Sequence, residues 1–213
     1  MNMNILKYVV FLVGISASYA QVIYVETSFS SASFEDFKNS DGINTLENKY
    51  SSPVELGIGV GSLFNFTDNN RLKWDLGLNF NKYKIITSIK EINTPTEYNL
   101  SYVSLKTGPY FSLINHSRVK LQLHAHSSLD YLIFGSNQYS DVYDDLLEGK
   151  NLSKLVMNYH YGVAVEITLS NSSSLYMSYD SKNGLTETVD DDESYRINAT
   201  SILMGFRFKL NKL

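Results

Sequence analysis

The sequence predicts an all-β fold: an eight-stranded antiparallel transmembrane up-and-down β-barrel. Three observations lead there. Apolar and polar residues alternate with period 2 in eight segments, and no stretch carries a helical period. The segments run about 10 to 16 residues, whereas globular strands usually have about 5 or 6 and a tilted membrane-spanning strand needs about 9 to 11. The links between segments alternate strictly between long and short, as in bacterial barrels with short periplasmic turns and long external loops.

Residues 1–20 stand outside this pattern. Lys7 gives a positive start, "YVVFLVGI" (8–15) is apolar but too short to span a bilayer, and Ser18 and Ala20 are the small residues a signal peptidase requires. This is a secretory signal, with cleavage expected before Gln21. Position 21 is not Cys, so no lipid anchor is expected. Removing 20 residues from 213 leaves 193, enough for one domain, 21–213.

The segments follow in order. They are "VIYVETSFSSASF" (22–34), "VELGIGVGSLFNF" (54–66), "LKWDLGLNFNKYKI" (72–85) and "YNLSYVSLKTGPYFSL" (98–113). "VKLQLHAHSSLDYLIF" (119–134), "VMNYHYGVAVEITL" (156–169), "SLYMSYDSKN" (174–183) and "YRINATSILMGFRFKL" (195–210) complete the set. Tight polar turns, "TDNNR", "INHSR" and "SNSS", join the second to the third, the fourth to the fifth and the sixth to the seventh. The links 35–53, 86–97, 135–155 and 184–194 are long. Eight strands place both termini on the short-turn side, which predicts a periplasmic N- and C-terminus.

The polar face decides which side meets lipid. Leu72, Trp74, Leu76, Leu78 and Phe80 oppose Lys73, Asp75, Gly77 and Asn79; Val163, Val165 and Ile167 oppose Gly162, Ala164 and Glu166. A water-washed outer wall would carry many Lys and Glu. This face is instead rich in Gly, Ser, Asn and Thr, which suits the cramped lumen of eight strands. The bulky set then faces lipid, with aromatic residues near the strand ends as interfacial girdles.

Bulk composition narrows the partners. After the leader, 17 basic residues stand against 22 acidic ones, a net charge of −5, which argues against nucleic acid. Cysteine is absent, so no disulfide contributes. No later segment reaches the 18 apolar residues of a membrane helix.

The leader, the eight alternating segments and the "GFRFKL" ending (205–210) resemble the small outer-membrane β-barrel proteins of Bacteroidetes-type bacteria. That group includes the PorT-like family, with OmpX- and OmpA-type barrels as more distant analogues. The resemblance implies outer-membrane lipid as surroundings, insertion by the barrel assembly machinery, and a periplasmic or surface protein as partner. In such proteins a terminal aromatic strand is the insertion signal. This chain continues past Phe208 to Asn211, Lys212 and Leu213.

Two inward-facing groups stand out. Glu26, Asp75, Lys106, Glu166 and Arg207 are expected to form an ion-pair cluster around Arg207, because buried cations need carboxylate partners. "HAHSSLD" (124–130) places His124, His126 and Asp130 on one face, a weak candidate site. Two histidines at i and i+2 can share a metal, but spacing supplies no third ligand, so a polar plug is the expectation and no metal or cofactor is assigned. The acidic loop residues Asp141, Asp144, Asp145 and Glu148, and Glu187 with Asp190, Asp191, Asp192 and Glu193, lack the spacing of a calcium loop and read as solvated charge.

The function expected is a non-enzymatic, monomeric barrel with a filled lumen and a structural or interaction role in a secretion or surface-assembly system. A lipid-modifying barrel enzyme and a soluble lipocalin-like carrier are the alternatives.

Overall fold

Period-2 alternation leaves each segment with one face that must find an apolar surrounding, and closing the sheet on itself removes its unpaired edges. The computed structural model does both. It describes residues 22–39, 46–49, 52–67, 70–89, 92–139, 142–146, 153–190 and 193–210; the expected leader lies outside them. The strands are β1 (Val22–Asn39), β2 (Leu46–Lys49), β3 (Glu55–Asn65), β4 (Leu72–Ile89), β5 (Ile92–Asn115) and β6 (Val119–Tyr139). They continue as β7 (Val142–Asp145), β8 (Leu155–Thr168), β9 (Ser173–Gly184), β10 (Thr188–Asp190) and β11 (Glu193–Lys209).

Eight of these form the ring β1-β3-β4-β5-β6-β8-β9-β11, all antiparallel. β1 and β11 close it, from Val22 opposite Lys209 to Asn39 opposite Glu193. The three short strands hang on the long-link side: β2 on β4, β7 on β6 and β10 on β11. The long links are therefore not all loops. β4 and β5 stay paired through Ser88 and Pro95, so most of the link expected at 86–97 is hairpin. Strand lengths reach 24 residues in β5, beyond the 10 to 16 expected. At the opposite end the turns are tight, and Asn70 takes the left-handed backbone (φ 56°) that Asn tolerates well.

The wall crosses two solvents, and its polarity shows where. Outward side chains on β11 run Phe208, Phe206, Met204 and Ile202, then Thr200, Asn198 and Arg196. β4 runs Leu72, Trp74, Leu76, Leu78 and Phe80, then Lys82 and Lys84. The change falls at one level on paired strands, since Phe29 opposes Ile202 and Phe80 opposes Val103. Ile58, Met204 and Phe206 are largely exposed to the surroundings. That is the outer face of a lipid-embedded barrel; a soluble lipocalin-like barrel would turn these residues inward.

Above this level the inside also inverts. Phe34, Tyr83, Ile85, Tyr98, Leu100, Leu132, Tyr195 and Ile197 form one buried apolar cluster. Phe34 packs edge-on against Tyr98, with ring centroids 4.9 Å apart, and tilts against Tyr195 at 4.5 Å. Each such side chain contributes about 1.5–3 kcal/mol by leaving water. The extension is thus built like a soluble barrel, dry within and polar without (Lys84 pairs with Glu97 at 2.6 Å on its wall).

Below it the lumen is polar and tight. Tyr24, Gly61, Gly77 and Lys106 stand opposite one another across β1, β3, β4 and β5. The Tyr24 ring and hydroxyl occupy the space where Cβ atoms of Gly61 and Gly77 would be. Only glycine allows that approach.

Candidate functional site

The polar lumen is stacked in layers. Nearest the short turns, Arg207 Nη1 donates to Glu166 Oε2 and to Gln122 Oε1, each at 2.6 Å. Lys120 Nζ meets the other Glu166 oxygen at 2.8 Å, and Ser174 Oγ donates to it at 3.1 Å. The guanidinium lies over the Tyr176 ring at 4.2 Å and the Tyr110 ring at 5.0 Å. Arg207 is 2% exposed, so its charge rests on these partners.

The middle layer centres on Glu26. Its Oε1 accepts from Asn79 Nδ2 at 2.7 Å and Lys106 Nζ at 3.0 Å, and the Tyr176 hydroxyl donates to Oε2. Lys106 also lies 3.8 Å from Asp75 Oδ2. His126 Nε2 is 3.3 Å from the same oxygen, and His124 Nε2 is 3.1 Å from Asp180 Oδ1. The two imidazoles lie 5.0 Å apart and share Tyr110 as a neighbour. Higher still, Lys182 pairs with Asp130 and donates to Tyr83 at 3.0 Å, while Ser128 and His160 Nε2 are 2.9 Å apart. The apolar cluster closes the lumen above this.

All five residues expected to pair around Arg207 are buried in the lumen, but they form two groups. Glu166 takes Arg207; Glu26 and Asp75 take Lys106. The separation has a steric cause, since Tyr24 stands directly opposite Arg207 across the β1–β11 seam and Tyr176 lies between the layers. Lys120 and Gln122 complete the lower layer, and the sequence marks them only by the inward parity they share with His124.

The histidine candidate also changes membership. His124 and His126 are adjacent, but Asp130 is not with them. Four residues further along one strand is about 13 Å, and Asp130 is engaged by Lys182. Asp180 of β9, reached along the wall over Gly162 of the intervening β8, takes the place beside His124. Parity alone could have marked Asp180 as inward; its level depends on strand stagger.

Ser178, His124 and Asp180 do not form a relay. Ser178 Oγ lies 3.5 Å from His124 Nε2 and donates to Asp180, so serine and carboxylate both address one nitrogen. His124 Nδ1 has no hydrogen-bond partner to fix the ring for general-base work. Of the acidic loop residues, Glu187 accepts from Arg196 at 3.3 Å and Asp145 lies on β7. Asp141, Glu148, Asp191 and Asp192 lie outside the described residues, as do the side chains of Asp144, Asp190 and Glu193.

No protein-family model matches the chain, and no curated protein does. Solved structures share its architecture, and two of them are outer-membrane proteins. Neisserial surface protein A is 13% identical, with a TM-score of 0.51 over 89% of this chain and 96% of that one. The outer membrane protein OprG from Pseudomonas aeruginosa is 11% identical, with a TM-score of 0.50 over 91% of this chain and 98% of that one. At these identities the likeness concerns the fold, which is that of an eight-stranded outer-membrane β-barrel.

Proposed function

We propose that the protein is a closed, non-enzymatic barrel of the Gram-negative outer membrane that works through what projects from the lipid. Its termini and three tight turns face the periplasm, and its strand extensions face outward. The observation that supports this reading best is the distribution of material. The lumen is filled with buried charged and polar side chains and capped by an apolar core, while β4, β5 and β6 continue well past the lipid-facing belt. A barrel whose lumen is filled with side chains, yet which carries a tall extension with a polar outer wall, suits protein–protein contact. The PorT-like resemblance points to a secretion or surface-assembly complex, with barrel assembly machinery as the transient partner and a surface or periplasmic protein as the lasting one.

Single-cysteine labelling tests the orientation cleanly, because the chain has no cysteine of its own. Ser33→Cys, on the extension wall, is expected to react with a membrane-impermeant maleimide on intact cells, and Ser117→Cys, in a short turn, only after permeabilisation. The reverse order would invert the topology. Photo-crosslinkers at Lys82 and Thr200 are expected to trap one envelope protein reproducibly. A barrel that traps none, but whose loss abolishes a lipid modification, would favour the enzyme reading.

A further inference from the structure

We propose that the middle of the lumen is a divalent transition-metal site, with His124, His126 and Asp180 as protein ligands and water completing the coordination. The inference rests on the side-chain geometry of the lumen and is independent of the orientation and partners proposed above.

Geometry comes first. One donor atom from each of the three residues lies within 4.8 Å of the other two. The His124–Asp180 edge is already 3.1 Å, close to the roughly 3.3 Å edge of a tetrahedron whose ligands sit about 2.0–2.1 Å from zinc. Only the remaining edges need to draw in, by a rotamer adjustment.

Unsatisfied atoms point the same way. Both ring nitrogens of His126 and Nδ1 of His124 lack hydrogen-bond partners, although these residues are 3% and 5% exposed. Buried polar groups are nearly always paired, so orphans clustered in one place call for a missing partner. Asp75 Oδ2 is 3.3 Å from His126 Nε2 without a hydrogen bond being formed. A carboxylate beside a ligating imidazole is the usual means of fixing its orientation.

Charge supplies an independent count. Three carboxylates, Glu26, Asp75 and Asp180, are buried in this layer, and among the described residues Lys106 is the one lysine or arginine within ion-pair distance of any of them. Arg207 and Lys120 belong to Glu166, and Lys182 to Asp130. One divalent ion brings the middle layer to neutrality. Gly162 of β8 stands between His124 and Asp180, and its missing side chain lets His124 Nε2 and Asp180 Oδ1 meet above it, where a Cβ would intrude. A cavity of about 30 Å³ borders Asp180, alone of the three ligands, together with Lys106, Ser128 and His160, and one water needs only about 10–15 Å³. Two imidazoles and a carboxylate are the donor set of Zn²⁺. Because the lumen is closed at both ends, the ion would enter as the barrel folds.

The test uses full-length protein extracted in detergent from outer membranes of cells grown with added ZnCl2. After passage over a chelating resin, wild type should retain about one zinc per chain. His124→Gln with His126→Gln, and separately Asp180→Asn, should lower retention about tenfold or more, the scale of losing a ligand or its support. His116→Gln, in a turn, should leave it unchanged. Growth with Co²⁺ instead should give the visible bands of a tetrahedral nitrogen–oxygen site. Wild type that migrates as a folded barrel yet holds no more zinc than the variants would overturn the proposal. If the double variant fails to fold, the cobalt spectrum of wild type decides: tetrahedral bands support the site, and an octahedral, weakly absorbing ion overturns it.

Discussion

Glu166→Gln and Arg207→Met approach the lower ion layer from its two sides, and the structure says they should not be equivalent. Glu166 holds two cations, Arg207 at 2.6 Å and Lys120 at 2.8 Å. Removing its charge strands both at once, with Arg207 left to Gln122. Breaking a buried pair from one side costs about 3–5 kcal/mol. Arg207→Met instead leaves Glu166 with Lys120 and Ser174, and methionine can fill much of the space between Tyr110 and Tyr176. Its expected cost is about 1.5–3 kcal/mol, the range for losing a hydrogen bond to a charged group. The difference, on the order of 1–2 kcal/mol, is roughly tenfold in the folding equilibrium. Urea titration in phospholipid vesicles, read by the mobility difference between folded and unfolded bands, resolves such a gap. The double variant should show coupling of about 0.5–3 kcal/mol. If Arg207→Met costs as much as Glu166→Gln, Lys120 does not hold the carboxylate and the layer has been misassigned.

Val163 faces lipid, so Val163→Arg should cost about 2–4 kcal/mol and lower assembly yield; wild-type yield would mean the faces are reversed. Its neighbour gives the inward counterpart: a Cβ on Gly162 meets the Tyr179 carbonyl and the His124 ring, so even Gly162→Ser should cost about 1–3 kcal/mol through overpacking. The protein should fractionate with outer membranes, resist carbonate extraction and migrate faster unheated than boiled; recovery in the soluble periplasm would contradict the architecture. In planar bilayers it should show no steady open channel. Leu100→Ala in the apolar cap should lower stability by about 2–5 kcal/mol and still give no conductance, because the ion layers beneath remain.

Eight ring strands were legible because lipid, like a core, enforces strict alternation over a full span. The extensions were less so. On β4 the apolar parity passes from Leu78 and Phe80 to Tyr83 and Ile85, a phase change that looks like the strand ending. It marks where the outside becomes water and the inside becomes the driest place available. The site divided similarly. Glu26, Lys106, Glu166, Arg207 and the two histidines are recognisable by inward parity. Parity carries no depth, however, so the sequence joined Asp130 to the histidines and left out Asp180. Which inward residues meet is fixed by stagger around a closed ring, a property of all eight strands together.

The row Tyr24–Gly61–Gly77 bears on how that ring chooses its stagger. Slipping one strand by two residues keeps every apolar side chain on the lipid side, so hydrophobicity cannot discriminate against it. Such a slip of β1 along β3 would bring Tyr24 over Gly59 and its partner Asn79, or over Leu63 and its partner Asp75. Neither alternative offers an empty row. One phenol and two missing methyl groups therefore act as a key and its lock, rejecting the misthreaded barrels that would otherwise be indistinguishable to the membrane.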